Sequence, residues 1–123
     1  DEMPAFYSRV SGLPVDERVE SANDVARVAN ARDELGLTNS ILLTVPIPTE
    51  FEIDRDELEA ILADALKLAD ERGVLGKEIT PFLLSQMSER SGGRTLAANI
   101  ALLENNARVA ASVAATMANG NQS

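Results

Sequence analysis

Residues 40–48 have the sequence SILLTVPIP, an apolar and partly β-branched run that ends in two closely spaced prolines. A continuous apolar run of this length is typical of a strand covered on both faces, as in a parallel sheet flanked by helices. Pro46 and Pro48 lack the N–H that a β-ladder requires, so the strand is predicted at residues 40–45. The predicted fold class is α/β, with helices flanking a mixed β-sheet. This segment is expected to be mostly helical, with one clear buried strand.

The loop after this strand, residues 46–48, has two interpretations. Open α/β sheets bind ligands beyond the carboxyl ends of their strands, so the loop could border a ligand site. The same residues also suit a rigid exit turn without a direct function. The sequence leaves both interpretations open.

Four helices are predicted from their capping residues. Ser21 and Asp54 are each followed three residues later by an acidic side chain, which is close to a capping box. Thr80 followed by Pro81 is typical of an N-cap and a first helical position. The expected helices cover residues 22–35, 54 to about 72, 80 to the glycine pair at 92–93, and about 95–117. The polar tail at residues 119–123 is expected to fray.

The last helix carries an apolar stripe beside a row of polar side chains. The stripe has alternating spacings of four and three residues, is expected to face inward, and consists of Leu96, Ile100, Leu103, Ala107, Ala110, Ala114 and Met117. Thr95, Asn99 and Asn106 share the helix face that borders it. Because asparagine is a mediocre helix former, the presence of two asparagines on this face of the helix indicates a structural or functional role. They either satisfy the backbone groups of a loop or bind a heterocycle or a ribose hydroxyl.

The composition excludes several classes of function. The 123 residues carry a formal net charge of -9 and contain neither histidine nor cysteine. An acidic chain without a Lys/Arg cluster is not expected to bind nucleic acid. The usual Cys/His zinc sites, thiolate nucleophiles and Ser-His-Asp triads are likewise excluded. No apolar run is long enough for a membrane span, and a cysteine-free acidic chain fits the cytoplasm.

The segment 91–95, Ser-Gly-Gly-Arg-Thr, precedes the last helix. Glycines at a helix N-terminus can expose backbone amides to an anion, and Arg94 could assist. The segment lacks the lysine and the spacing of a nucleotide P-loop, so a helix-to-helix turn is the alternative interpretation.

Several ordered blocks make the chain resemble the pseudouridine-5'-phosphate glycosidase family, which includes the indigoidine synthase A-like proteins. Residues 1–7 with Ser11-Gly12 are similar to the family's "DEFPAFY…SG" segment, and residues 46–48 to its "PIP" strand exit. Residues 76–84, GKEITPFLL, resemble "GKEVTPFLL". Residues 91–107 resemble "TGG.SL.ANIALV.NNA". The resemblance covers the C-terminal part of a family member.

The resemblance implies an enzyme that reversibly cleaves the C–C glycosidic bond of pseudouridine 5'-phosphate to give uracil and ribose 5-phosphate. It also implies a lysine nucleophile, a glutamate proton donor and Mn2+. All of these are expected upstream of Asp1, because neither Lys67 nor Lys77 matches the nucleophile position. Residues 1–123 are thus expected to be the C-terminal segment of a single domain, cut from something longer and inactive alone. A homotrimer is a further implication.

The resemblance assigns site residues only in part. The asparagine of the "ANIAL" block lies at the family's substrate site and matches Asn99, so Asn99 is expected to bind the substrate's base or sugar. Asn106 and Thr80 are expected to support the pocket. No catalytic residue and no metal ligand is expected within this segment. Val45 and Ser91 depart from the family's usual Asn and Thr, so contacts from those positions do not transfer.

A second hypothesis belongs to a different class. The chain could be a non-catalytic helical interaction module derived from the same fold, which uses its alanine-rich last helix as a partner surface. A segment that needs its other half is expected to aggregate when isolated, whereas an evolved module is expected to unfold cooperatively.

Overall fold

A computed structural model describes residues 1–120 of the protein. Four α-helices account for most of this range, with short 3₁₀ turns before the second and third. The helices are α1 (Ala22–Glu34), α2 (Arg55–Glu71), α3 (Ile79–Arg90) and α4 (Arg94–Gly120), and the 3₁₀ turns cover Thr49–Phe51 and Gly76–Glu78. The expectation of a mostly helical segment is confirmed. Of the tail that was expected to fray, residues 119 and 120 belong to α4, and residues 121–123 lie outside the described residues.

Side-chain caps explain where the first two long helices begin. The Ser21 hydroxyl accepts a hydrogen bond from the backbone N–H of Asp24 at 3.2 Å. The Asp54 carboxylate accepts from two backbone N–H groups of the first turn of α2, at 3.0 and 3.2 Å. These bonds satisfy donors that lack an intrahelical acceptor. Both predicted caps are confirmed.

The start of α3 corrects the prediction that Thr80 is an N-cap. The 3₁₀ turn Gly76–Glu78 continues directly into α3, so Ile79 is its first residue and Thr80 its second. Glu78 occupies the cap position without a side-chain hydrogen bond to the helix. Pro81 is still within the first turn, where a missing N–H breaks no intrahelical bond. The helix can therefore begin at Ile79, two residues before the first helical position that the sequence pattern indicated.

The helices pack in the order α1, α4, α3, α2, with contacts between each neighbouring pair. A small core lies where the inner faces of α2, α3 and α4 meet two extended segments of the chain. Its buried members are Tyr7, Ile47, Ile53, Ala65, Met87, Ala98 and Leu102. Ile47 is completely buried, so the centre of the "PIP" sequence is an anchor of the core. The extended segments are thereby held against the helices.

The predicted buried strand at residues 40–45 is not formed within residues 1–120. This stretch has no regular secondary structure, and Leu42 is 82% exposed. Among the described residues, no backbone–backbone hydrogen bond involves residues 40–46. The only β-pairing in the described range is an isolated bridge between Glu2 and Pro14. A strand exists only when a second strand accepts and donates its ladder hydrogen bonds, and the described residues supply none.

The inward face of α4 also differs from the prediction. Its buried residues are Thr95, Ala98, Ala101 and Leu102, whereas Leu96, Ile100 and Leu103 are each half or more exposed. Both faces of α4 are apolar, so periodicity alone could not decide between them. The face with more small side chains lets neighbouring backbones approach closely, and this is the face that packs against the rest of the chain.

Candidate functional site

An open groove with a volume of about 510 Å³ lies between α4 and two extended segments. Residues 4–6 and 43–45 form its walls, and the middle of α4 forms its floor through Leu102, Asn106, Val109 and Ala110. The lining is mainly apolar, with the Thr44 hydroxyl and the Asn106 amide as its polar side-chain groups. An apolar cleft with a few polar groups is the usual form of a small-molecule site.

The wall formed by residues 4–6 is fixed by an aromatic anchor. Tyr7 is buried in the core, and the Phe6 ring packs edge-to-face against it with centroids 4.6 Å apart. The Tyr7 carbonyl accepts a hydrogen bond from the Ile53 N–H at 3.0 Å. Burial raises the pKa of the Tyr7 phenol above its ordinary value. Tyr7 is a structural anchor and carries no charge.

The wall formed by residues 43–45 is anchored at its C-terminal end, through Pro46 and Ile47. The Asn105 side-chain amide donates to the Pro46 carbonyl at 3.3 Å, and the adjacent Ile47 is buried in the core. From the other side, the Arg9 guanidinium donates to the Ile47 carbonyl at 2.8 Å. These bonds give partners to two backbone carbonyls that lie outside any helix.

Glu52 ties the chain after the first wall to the segment that precedes α2. Its carboxylate oxygen Oε1 accepts from the Ser8 hydroxyl at 3.1 Å and from the Arg9 backbone N–H at 2.8 Å. Sequence reasoning assigned no role to Arg9, Glu52 or Asn105, because the contact that each makes joins segments far apart in the sequence. The only available signal was that Asn105 stands next to Asn106 in the "NNA" block.

The structure brings two of the predicted site residues onto one face of α4. Asn106 is exposed and lines the groove. Asn99 lies two turns earlier on the same face, about 10 Å along the helix axis, and is half-buried. No hydrogen bond joins the Asn99 amide to another residue within 1–120. Both asparagines therefore present unused donors and acceptors, and the loop carbonyl is satisfied by Asn105 instead.

The other predicted polar residues lie elsewhere. Thr80 is exposed on the first turn of α3 and is not among the residues that line the groove. Thr95 is buried, and its backbone N–H donates to the Ser91 hydroxyl at 3.1 Å. Lys67 and Lys77 are exposed and also do not line the groove.

The segment 91–95 forms a tight turn between α3 and α4. Gly92 and Gly93 have positive φ angles of 63° and 83°, which reverse the chain direction. Arg94 forms an ion pair with Glu57 of α2, and its Nε donates to the Ser91 carbonyl at 3.2 Å. The Glu57 carboxylate raises the pKa of the Arg94 guanidinium. The helix-to-helix turn is thus the better interpretation, because the cation is already paired.

Residues 1–120 hold no cluster of three or more His, Cys, Asp or Glu side chains that could bind a metal ion. Within the same range, every helix is too short or too polar to cross a membrane.

Comparisons with known proteins show the family. The sequence profile described as "Indigoidine synthase A like protein" matches residues 1–116. A pseudouridine-5'-phosphate glycosidase from Myxococcus xanthus is 48% identical over 118 residues, which are 96% of this chain and 39% of that protein. The same enzyme from Kosmotoga olearia is 43% identical over 98% of this chain and 42% of its own length. The chain thus spans about two fifths of the relatives it matches.

Two solved structures share the arrangement of helices and extended segments. The prealnumycin C-glycosynthase AlnA, determined in complex with ribulose 5-phosphate, has a TM-score of 0.83 and 31% identity over 99% of this chain and 40% of that protein. An indigoidine synthase A-like protein from Thermotoga maritima has a TM-score of 0.74 and 41% identity, covering 92% of this chain and 37% of its own. The chain belongs to the indigoidine synthase A-like family, as its sequence motifs predicted.

Proposed function

We propose that this member of the indigoidine synthase A-like family is the C-terminal substrate-binding part of a pseudouridine-5'-phosphate glycosidase. The reaction cleaves the bond between C1' of the ribose and C5 of the base. Water supplies a proton to C5 of uracil and a hydroxyl to C1' of ribose 5-phosphate, and the reverse reaction forms the bond. The names of the relatives support this proposal, and so does the ribulose 5-phosphate in the AlnA structure.

The single observation that carries the proposal is the state of Asn99. Asn99 is a half-buried residue on a structured helix, and within residues 1–120 its side-chain amide forms no hydrogen bond with the protein and is open to solvent. An amide donates and accepts at once, which suits a uracil edge or a pair of ribose hydroxyls. We assign Asn99 to substrate binding and Asn106, in the groove, to support of the pocket. Thr80 stays a weaker assignment, because it lies on the first turn of α3 and not on the α4 face that Asn99 and Asn106 share.

We place the remaining chemistry outside this segment. The resemblance assigns a lysine nucleophile, a glutamate proton donor and Mn2+, and residues 1–120 offer no cluster that fits a metal ion. We further propose that the complete fold is a mixed β-sheet flanked by helices, that it assembles as a homotrimer, and that it works in the cytoplasm, where phosphorylated nucleotides are retained.

The proposal is tested with a chimera in which this chain replaces the 118 matched residues of the Myxococcus xanthus enzyme. Uracil release from pseudouridine 5'-phosphate is expected from the chimera with Mn2+ and not from the 123-residue chain alone. In the chimera, Asn99→Ala is expected to raise KM by about tenfold or more, the range for loss of a hydrogen bond to an uncharged ligand group. Turnover by the chain alone, or an unchanged KM in Asn99→Ala, would contradict the proposal.

The interaction-module hypothesis is the second candidate, and the exposed apolar stripe on α4 favours it. It predicts a cooperative urea unfolding transition for the isolated chain and no turnover by the chimera. A chimera that folds and releases uracil would support the glycosidase hypothesis over the interaction module.

A further inference from the structure

Arg9 connects the C-terminal ends of the two groove walls. It lies three residues after Phe6, where the first wall ends, and it is not itself a lining residue. Its guanidinium nitrogen Nη1 donates at 2.8 Å to the Ile47 carbonyl, two residues after Val45, where the second wall ends. One side chain therefore spans from the end of one wall to the end of the other.

The backbone at Arg9 is fixed separately from its side chain. The Arg9 N–H and the Ser8 hydroxyl both donate to Oε1 of Glu52, at 2.8 and 3.1 Å. Ser8 is buried, and the preceding Tyr7 carbonyl accepts from the Ile53 N–H at 3.0 Å. Because these bonds hold the main chain, the guanidinium extends from a fixed point.

The carbonyl that accepts from Arg9 belongs to a stiff part of the chain. Ile47 is completely buried and stands between Pro46 and Pro48, whose rings fix their own φ angles. The Pro46 carbonyl is in turn bound by the Asn105 amide of α4 at 3.3 Å. A change in the Arg9 contact is therefore expected to move the end of the second wall as a unit.

The Arg9 guanidinium differs from the arginines that form surface ion pairs. Within residues 1–120 it forms no ion pair with a carboxylate, whereas Arg18 and Arg55 form exposed ones. Its bond to the Ile47 carbonyl is partly buried. A charged donor on a partly buried carbonyl makes a stronger and more directional bond than an exposed ion pair does. The contact therefore fixes a distance between two segments.

We infer that Arg9 is a positioning residue for the substrate site, which sets the separation of the two groove walls and thereby the width of the groove above Asn106. Because the groove is taken as part of that site, this role rests on the proposed function. Arg9 acts through the walls, and the nucleophile is placed outside this segment. Loss of the Arg9 contact is therefore expected to weaken substrate binding and to leave the chemical step unchanged.

Steady-state kinetics of the chimera test this role. Arg9→Ala is expected to raise KM about fivefold and to keep kcat within about twofold. Arg9→Lys is expected to restore KM, because the contact uses one N–H and an ammonium group also supplies one. Arg90→Ala is the matched control, since the Arg90 guanidinium also joins remote segments, through Asp64 at 3.0 Å, but lies outside the groove lining. An unchanged KM in Arg9→Ala, or an equal rise in the control, would overturn the inference.

A double-mutant cycle separates positioning from a general loss of stability. Asn106 lies on the floor of the groove, so a shift of the walls changes what the substrate gains from its amide. The rise in KM caused by Arg9→Ala is therefore expected to be at least about twofold smaller in the Asn106→Ala background. The effects of Arg90→Ala and Asn106→Ala on KM are expected to combine independently. Independent effects of Arg9→Ala and Asn106→Ala would contradict the positioning role.

The separation of the walls can also be measured without activity. This chain contains no cysteine, so Ala5→Cys and Thr44→Cys place one spin label on each wall of a chimera whose other cysteines are replaced by serine. Electron paramagnetic resonance is expected to show a narrow distance distribution that broadens in Arg9→Ala and narrows again in Arg9→Lys. The same distribution in all three proteins would overturn the inference. A chimera that releases no uracil while the wall distance still responds would overturn only the glycosidase assignment.

Discussion

The two ends of residues 40–48 differ in nearly every physical respect. At one end, Ile47 is completely buried, and the carbonyls of Pro46 and Ile47 accept hydrogen bonds from Asn105 and Arg9. At the other end, Leu42 is 82% exposed, and its backbone has no ladder partner among residues 1–120. Both ends are apolar and only a few residues apart. Burial is therefore decided by which neighbours are present, and the described residues supply them on one side only.

The largest expected effect distinguishes these two ends. Ile47→Ala leaves a cavity in the core and is expected to lower the free energy of unfolding by about 2–5 kcal/mol. Leu42→Ala removes a side chain that is mostly in water, so a change within about 0.5 kcal/mol is expected. Urea unfolding of the 123-residue chain, at a concentration low enough to keep it monomeric and followed by circular dichroism, measures both. Equal losses for the two variants would mean that the two ends do not differ in the way the structure shows.

The next effect concerns the bond that holds the closed end. Arg9→Ala removes a charged donor from the Ile47 carbonyl and is expected to cost about 1 kcal/mol of unfolding free energy. Arg18→Ala is the control, because Arg18 makes only exposed ion pairs with Asp1 and Glu20 and is expected to change stability by less. The same urea titration compares them. A control that costs as much as Arg9→Ala would contradict the role assigned to Arg9.

The adjacent asparagines of α4 give an internal comparison of similar size. Asn105→Ala loses the bond to the Pro46 carbonyl and is expected to lower stability by about 1 kcal/mol. Asn106→Ala removes an exposed amide and is expected to be neutral for stability within about 0.5 kcal/mol. In the active chimera the opposite order is expected for KM. Asn106→Ala is expected to raise KM more than Asn105→Ala does, since of the two residues only Asn106 lines the groove. Thermal unfolding and KM together separate a structural amide from a pocket amide.

The smallest expected effect lies at the start of α1. A hydrogen bond from the Ser21 hydroxyl is the main cause that lowers the pKa of Asp24 below its ordinary value. A folded-state pKa below the unfolded value stabilises the fold at pH values above the unfolded pKa. This contribution is lost as the pH falls through the folded-state pKa. In Ser21→Ala the Asp24 pKa is expected to move up toward that of a free aspartate, measured by an NMR titration of its carboxyl carbon.

The candidate site could be predicted from the sequence only in part. The "ANIAL" and "NNA" blocks pointed to α4, and the structure does bring Asn99 and Asn106 onto one face of it. The roles of Asn105, Arg9 and Glu52 could not be predicted, because each depends on a contact between segments about 40 or more residues apart. Thr80 was misplaced as a cap because a 3₁₀ turn before α3 supplied the first helical residue by other means.

What the sequence determined by itself is local. Ser21 and Asp54 cap their helices, Gly92 and Gly93 turn the chain, and apolar spacing produces α4, because each of these depends on neighbours within about four residues. Only the tertiary structure decided which face of α4 is buried and that residues 40–45 remain unpaired. The physical reason is that a strand and a buried face are properties of two surfaces in contact, and one chain segment encodes only its own surface.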